Sequence, residues 1–505
     1  MLRIRFYILL FLFSLFFVPI QAEDSISLSR SEYLHILDRL SRLENKVDSV
    51  QKTDAQTGAT KILDARTGAT VVKKTENKEQ VVASKTDTTA DRTTPKWIHN
   101  RLSIGGYGEA VLTRRFYSDH FNRYINPSAH KNDRSNGQVD LPHVVLNIGY
   151  DFGKGWSMGM EVEFEHGGTE SAVEIDADEA GEYEAEVERG GEVALEQFWI
   201  NKKFFNELQL KIGELVVPVG MTNSYHLPTE FFTCYRNEGE MQLFPCTWHQ
   251  LGVELWGKNE YVGYQVQFLA GLDAERFSAP WFVHYGATSP YEFKIANGYA
   301  FAGRVDGYIP NSGLRLSLSG YAGTTFHNTQ YAGSYSAAYD KIKGTLAIGS
   351  FDLEWKRFGV VMRGNADYAH LSDADAIWKL FQNLSKHSSQ DGSPRTGSPV
   401  SSQAFCAGVQ VGYDIFHYIP KMHEKKQKLI PFVVYEYYDP VFETNSVQSL
   451  KYEYMKRHRI AAGINYYPIP QVVFKAEFSK RFLPDGYNDE PAISFSVAYS
   501  GWFNF

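Results

Sequence analysis

Apolar and polar residues alternate one for one, in short stretches, along the chain from position 102 onward. Met158, Met160, Val162 and Phe164 alternate with Gly159, Glu161, Glu163 and Glu165. Phe351, Leu353 and Trp355 alternate with Ser350, Asp352 and Glu354, and Ile460, Ala462 and Ile464 with Arg459, Ala461 and Gly463. A period of two marks a β-strand with one apolar and one polar face. The pattern predicts strands near 102–115, 138–151, 155–166, 191–203, 206–214, 249–258, 260–271, 297–309, 313–323, 344–356, 358–370, 403–416, 428–439, 455–467, 470–480 and 491–503, sixteen in all.

The connections alternate short and long. Short ones are Phe152 to Lys154, Phe204-Phe205, Asn259, Pro310 to Ser312, Arg357 and Pro468-Ile469, with His417 to Gln427 a longer exception. Long ones include 116–137, 167–190, 215–248, 272–296, 324–343 and 371–402. An even strand number with this rhythm is the pattern of a transmembrane β-barrel, whose turns are short on one side of the membrane and long on the other. A soluble sandwich has no reason to keep it. The expected fold is therefore all-β, a 16-stranded antiparallel transmembrane β-barrel over 98–505.

A charge on the lipid face would cost roughly 2–4 kcal/mol near the bilayer centre. The charged rows are thus expected to face the lumen. They include Glu109, Glu161, Glu163, Glu165, Asp352 and Glu354 against Arg304, Arg315, Arg363, Arg459 and Lys475. Mixed signs also suit a purely structural wall, because opposite charges on neighbouring strands stabilise their pairing.

The rest of the chain reads differently. Arg3 and Arg5, an apolar run from Phe6 to Ile20, and Ala22 before Glu23-Asp24 read as a signal peptide over 1–22. Tyr33, Ile36, Leu40, Leu43, Val47 and Val50 step by three and four. That spacing predicts a short periplasmic coiled-coil helix within 23–52; one amphipathic helix packed on the barrel is the alternative. Residues 53–97 open on two copies of a short repeat, Asp54–Thr60 and Asp64–Thr70, and continue as a Thr-rich linker. The last predicted strand runs toward Phe505, and a strand ending on an aromatic residue resembles the terminal strand of outer-membrane barrels.

Composition narrows the function. The formal net charge of −8 argues against a nucleic-acid partner. Nucleophile elbow, zinc helix and phosphate loop are all missing, so enzyme chemistry, a cofactor and a metal are not expected. Cys234 and Cys246 lie twelve apart in one predicted loop, which favours a disulfide in an exported protein. Two free thiols are the alternative, and Cys406 is expected to stay free.

Two loops stand out. Loop 167–190 is strongly acidic and reads as a solvated outer loop or a cation-attracting vestibule. Loop 215–248 carries Met221, Phe231, Phe232, Arg236, Glu238 and Glu240, and is too apolar to lie free in water. It is expected to fold inward as a constriction, or to pack on the outer vestibule or a subunit contact. In 371–402, Ile377, Trp378, Leu380, Phe381 and Leu384 could form one face of a short helix.

Lys211-Ile212-Gly213-Glu214-Leu215-Val216-Val217-Pro218-Val219-Gly220-Met221, followed by Trp248-His249-Gln250-Leu251-Gly252-Val253-Glu254-Leu255, resembles the strand–inward-loop–strand block of the phosphate-selective porin O and P family. Ile104-Gly105-Gly106-Tyr107-Gly108-Glu109-Ala110 is also similar to Bacteroidota-type members. The resemblance implies a homotrimeric diffusion channel for small hydrophilic solutes, seated in the outer-membrane bilayer among lipopolysaccharide. Family phosphate channels use a lumenal Arg ladder and a constriction Lys. Here Arg236 is the sole Arg or Lys of the inward loop, which puts phosphate or anion selectivity in doubt. A surface adhesin or envelope-structural barrel is the reading from another class.

Overall fold

The computed structural model describes residues 62–63, 70–71, 101–167, 174–175, 185–186, 193–288, 294–329, 336–385, 399–443 and 449–504. The expected signal peptide and coiled coil, Phe505, and most of the Thr-rich linker and of acidic loop 167–190 lie outside them. Two short antiparallel pairs, Ile62–Leu63 with Thr70–Val71 and Glu174–Ile175 with Ala185–Glu186, form sheets of their own.

The described residues between Leu102 and Asn504 close into one antiparallel barrel of sixteen staves. We number them β1 (Leu102–Arg115), β2 (Asn136–Asp140 continued by His143–Gly153), β3 (Trp156–Glu165), β4 (Val193–Phe205), β5 (Leu208–Val216), β6 (His249–Lys258), β7 (Val262–Ala270) and β8 (Tyr299–Ile309). The second half is β9 (Leu314–Thr324), β10 (Thr345–Arg357), β11 (Val360–Leu371), β12 (Gln403–Tyr413), β13 (Lys428–Glu443), β14 (Arg457–Ile469), β15 (Val472–Phe482) and β16 (Glu490–Asn504). Every strand pairs with its sequence neighbours, and β16 pairs with β1 to close the ring.

β2 departs from the expected single strand. It is broken at Leu141-Pro142, and β1 pairs with both pieces. Proline has no N–H for the ladder, so the sheet is interrupted there.

The two faces are inverted relative to a soluble protein. Leu318 is 66% exposed on the outside while Asp352, across the β9–β10 ladder on the inside, is 0% exposed. Leu251, Val266, Phe301, Phe474 and Phe495 are likewise exposed outward. An apolar outer face around a polar interior is the arrangement a lipid bilayer demands. Closure also leaves no unpaired strand edge in the hydrocarbon.

At one end the turns are tight. Lys154-Gly155 and Phe358-Gly359 join their strands with positive φ at both positions (54° and 76°, 55° and 79°), the backbone of a two-residue hairpin whose twist matches its strands. At the other end the loops pack together. Val217, Trp248, Phe282, Phe326, Ile377 and Phe381 belong to one buried apolar cluster. The helices that serve these loops include α1 (Glu238–Leu243) and α2 (Ala374–Ser385). α2 buries Ile377, Leu380 and Phe381, and full burial of such side chains stabilises by about 1.5–3 kcal/mol each.

The expected disulfide is not formed: Cys234, Cys246 and Cys406 are free thiols. α1 stands between the first two. Cys246 lies near Glu240 and Arg236 of the loop and Asp367 of β11. Cys234 is instead tied to β15, its N–H donating to Glu477 Oε2 at 2.7 Å.

Candidate functional site

Residues 217–248 run into the barrel and are held there by wall side chains. Arg304 Nη1 donates to Gly220 O at 3.1 Å, and Arg363 Nη1 to Glu230 O at 2.8 Å. Asn465 Nδ2 donates to Phe232 O at 3.0 Å. Lys475 Nζ donates to Phe231 O at 3.0 Å and Thr233 O at 2.8 Å. Gly239 N–H donates to Glu436 Oε1 at 3.1 Å. These anchors come from β8, β11 and β13 to β15, so that wall is committed to seating the loop.

Glu238 and Glu240 are the two acidic fixtures of α1. Glu238 meets Arg459 at 3.0 Å and Arg481 at 2.8 Å, and accepts from Tyr438 OH at 2.9 Å. Burial disfavours its charge, but Arg459 and Arg481 overrule that and hold it well below the usual carboxylate range. Glu240 accepts from Met221 N–H at 2.7 Å and from Thr222 N–H, folding the chain back on itself. Burial, with Asp367 close by, pushes Glu240 up to about 8. The backbone needs a glycine at Gly220, where φ is +85° and a Cβ would lie 3.2 Å from the Glu240 carboxyl.

The basic side chains of β8 to β11 are paired across strands. Arg304 bridges Asp306 and Asp352 at 2.9 Å each. Arg315 reaches Asp352 at 3.2 Å, and Glu354 takes Arg363 and Lys356 at 2.7 Å each. Arg459 bonds Glu436 at 2.8 Å and Glu477 at 2.7 Å. No ladder of unpaired cations remains among these residues.

The wall of β1 to β4 is the opposite case. Glu109, Glu161, Glu163 and Glu196 are all buried. Both carboxyl oxygens of Glu109, Oε1 of Glu161 and Oε2 of Glu196 lack a hydrogen-bond partner from the protein. Buried polar atoms without protein partners point to water or ions. Arg236 projects from the loop toward this wall, close to Tyr107, Glu163 and Glu196. Burial works against its charge, yet these neighbours raise its pKa and keep it a cation. A cavity of about 670 Å³ lies along the same wall, reaching from Arg101 and Asp151 at the short-turn end to Tyr107 and Glu161, with His226 and Glu230 of the loop opposite.

The residues singled out in the sequence thus separate into three groups. Met221, Phe231, Phe232, Arg236 and Glu240 are buried in the seated loop, with Glu238 at its ion pairs. Arg304, Arg315, Asp352, Glu354, Arg363, Arg459 and Lys475 serve ion pairs or loop anchors. Glu109, Glu161, Glu163 and Glu165 line the acidic wall.

Glu196, His143 and Tyr107 belong to that wall and were not singled out. Glu196 is the extra residue of a β-bulge, since Glu161 pairs with Gln197 while Val162 pairs with Leu195. A bulge re-aims a side chain. Its trace is legible: the outward residues are odd-numbered at Val193 and Leu195, then even-numbered at Phe198 and Ile200.

No family model matches the chain. An uncharacterized protein of Aquifex aeolicus (strain VF5) is 28% identical over 397 residues, which cover 76% of each chain. Among solved structures, the chain is similar to an anion-selective porin from Comamonas acidovorans, with TM-score 0.46 and 8% identity over 79% of this chain and 99% of that one. It is also similar to the outer membrane channel DcaP of Acinetobacter baumannii, with TM-score 0.42 and 11% identity over 79% and 97%. For Pseudomonas putida OprB the values are TM-score 0.44 and 10% identity over 79% and 94%.

Proposed function

We propose that the protein is a porin of the bacterial outer membrane, passing small hydrophilic solutes by diffusion between loop 217–248 and the wall of β1 to β4. The observation that carries this reading is the asymmetry of the lumen. The cations of β8 to β15 are spent on ion pairs and loop carbonyls, whereas Glu109, Glu161 and Glu196 keep oxygens without a protein partner, and Glu161 lines a cavity. Unpaired lumenal carboxylates attract cations and repel anions. The pore therefore prefers cations, and phosphate selectivity has little support, since Arg236 is outnumbered by the glutamates around it.

A homotrimer, contact with lipopolysaccharide and an N-terminal periplasmic arm remain part of this proposal, resting on the sequence pattern and the family resemblance. An envelope-structural barrel is the second reading. What favours it is the depth to which Trp248, Leu272 and Phe326 fill the outer end. Planar-bilayer recording separates the two. Stable conductance steps with a cation-selective reversal potential are expected, and a folded protein that never conducts would sink the porin reading.

A further inference from the structure

Above the cavity, at the long-loop end of the acidic wall, three possible metal donors converge. His143 opens the second piece of β2, immediately after the Pro142 break. Glu163 and Glu165 are two apart on β3, so both point into the lumen. The register sets His143 opposite Glu165 and Val145 opposite Glu163. One donor atom from each of the three lies within 4.8 Å of the others, the one such group among the described residues. His143 Nδ1 and Glu163 Oε1 are 2.6 Å apart, joined by a single proton.

Glu109 stands near this group, beside Glu163. β1 pairs Gly108 with Val144 on one side of the Pro142 break and Val111 with Asp140 on the other, so Glu109 sits where the ladder is interrupted. Glu109 is 4% exposed, and neither of its carboxyl oxygens has a protein partner. Asp140, across the break, stands 2.7 Å from His166. The cations facing the group are Arg236 and Lys475, and Lys475 is already engaged by two loop carbonyls. Carboxylates remain in excess.

We propose that His143, Glu163 and Glu165 form a binding site for a divalent transition-metal ion of the Zn²⁺ kind. One imidazole with carboxylates is a borderline donor set: nitrogen favours zinc and its neighbours over calcium, which takes six to eight oxygens. Three protein donors leave the fourth position of tetrahedral zinc to water. Binding exchanges the proton between His143 and Glu163 for the metal, so the proton is released to solvent and affinity falls with acidity. Two adjacent strands supply the ligands, which is why no linear metal motif is visible. The site goes beyond the porin reading and does not need conduction to be occupied.

The test is calorimetry of ZnCl₂ into tag-free, full-length protein folded in detergent, with CaCl₂ and MgCl₂ as comparators. One Zn²⁺ per chain is expected, with proton release and much weaker response to Ca²⁺ and Mg²⁺. His143→Ala and Glu163→Gln should each weaken Zn²⁺ binding at least about tenfold. Folding of each variant is checked by heat-modifiable gel mobility. If His143→Ala does not fold, His143→Asn and Glu165→Gln decide the matter by the same tenfold criterion. Absence of saturable Zn²⁺ binding, or unchanged affinity in the folded variants, overturns the proposal. A closed barrel that binds Zn²⁺ sinks the porin reading alone, and a conducting barrel that does not sinks the metal site alone.

Discussion

Glu238 Oε1 on the inward loop lies 3.0 Å from Arg459 Nε on β14, and this pair ties the loop to the wall through a buried charge contact. Arg459 is 3% exposed and also holds Glu436 and Glu477. Removing one partner of a buried pair leaves an uncompensated charge and costs about 3–5 kcal/mol. Glu238→Gln should therefore loosen the loop markedly. The expected readout is a lower temperature for loss of the folded band in heat-modifiability gels, with noisier single-channel current.

The same carboxyl fixes a pH dependence. Its pKa is depressed in the folded protein by Arg459 and Arg481, so its stabilisation is present above the ordinary glutamate range and is lost as pH falls through the folded value. Glu240 works the other way. With its pKa raised to about 8, its contribution is present at low pH and is lost as pH rises through 8. Loop seating should thus weaken at both extremes. Melting of wild type against Glu240→Gln between pH 6 and 9 checks the upper limb, which should flatten in the variant.

Lys475 donates to two loop carbonyls, and its ammonium stands 4.0 Å from the centre of the Phe231 ring. Hydrogen bonds to a charged group contribute about 1.5–3 kcal/mol. Lys475→Met should release the 231–233 segment and raise single-channel conductance while leaving the barrel folded. Unchanged conductance would place the narrowest point elsewhere along the loop.

Ion preference should follow the acidic wall. Glu161→Gln with Glu196→Gln is expected to reduce the cation-to-anion permeability ratio obtained from reversal potentials. The effect should be larger at 0.01 M salt, where charges act over about 30 Å, than at 1 M, where they act over about 3 Å. An equal change from Arg315→Gln, whose charge is paired with Asp352, would argue against a path along β1 to β4.

The outer face can be tested by one substitution. Leu318→Arg puts a charge where the side chain is 66% exposed to lipid, at an expected cost of about 2–4 kcal/mol near the bilayer centre. Folding yield into vesicles should fall, whereas Ser317→Asn on the lumenal side of the same strand should leave it nearly unchanged.

Much of this was legible in the chain because strand faces are a local property. Phe351, Asp352, Leu353 and Glu354 declare inside and outside by alternation alone, and the short turn expected at Arg357 lies one residue further on, at Phe358-Gly359. The inward loop was legible only as a composition: Phe231, Phe232 and Met221 are too apolar for open water. The misreading of Cys234 and Cys246 has the same origin. Sequence proximity suggested a bond, while the fold ties Cys234 to Glu477 of β15 and sets Cys246 near Asp367 of β11.

The sequence by itself determined the architecture, since a period of two, an even strand count and charges confined to one face leave a closed membrane barrel as the economical solution. The tertiary structure decided which charges are left over. Arg304, Arg363, Arg459 and Lys475 stand in the sequence within rows of mixed charge, and only ring closure and loop insertion bring their carboxylate and carbonyl partners within 3 Å or so. His143 and Glu196 look unremarkable in the sequence, and antiparallel register and a bulge bring them to the wall that Glu161 and Glu163 line. Long-range pairing chooses partners dozens or hundreds of residues away, and no local pattern encodes that choice.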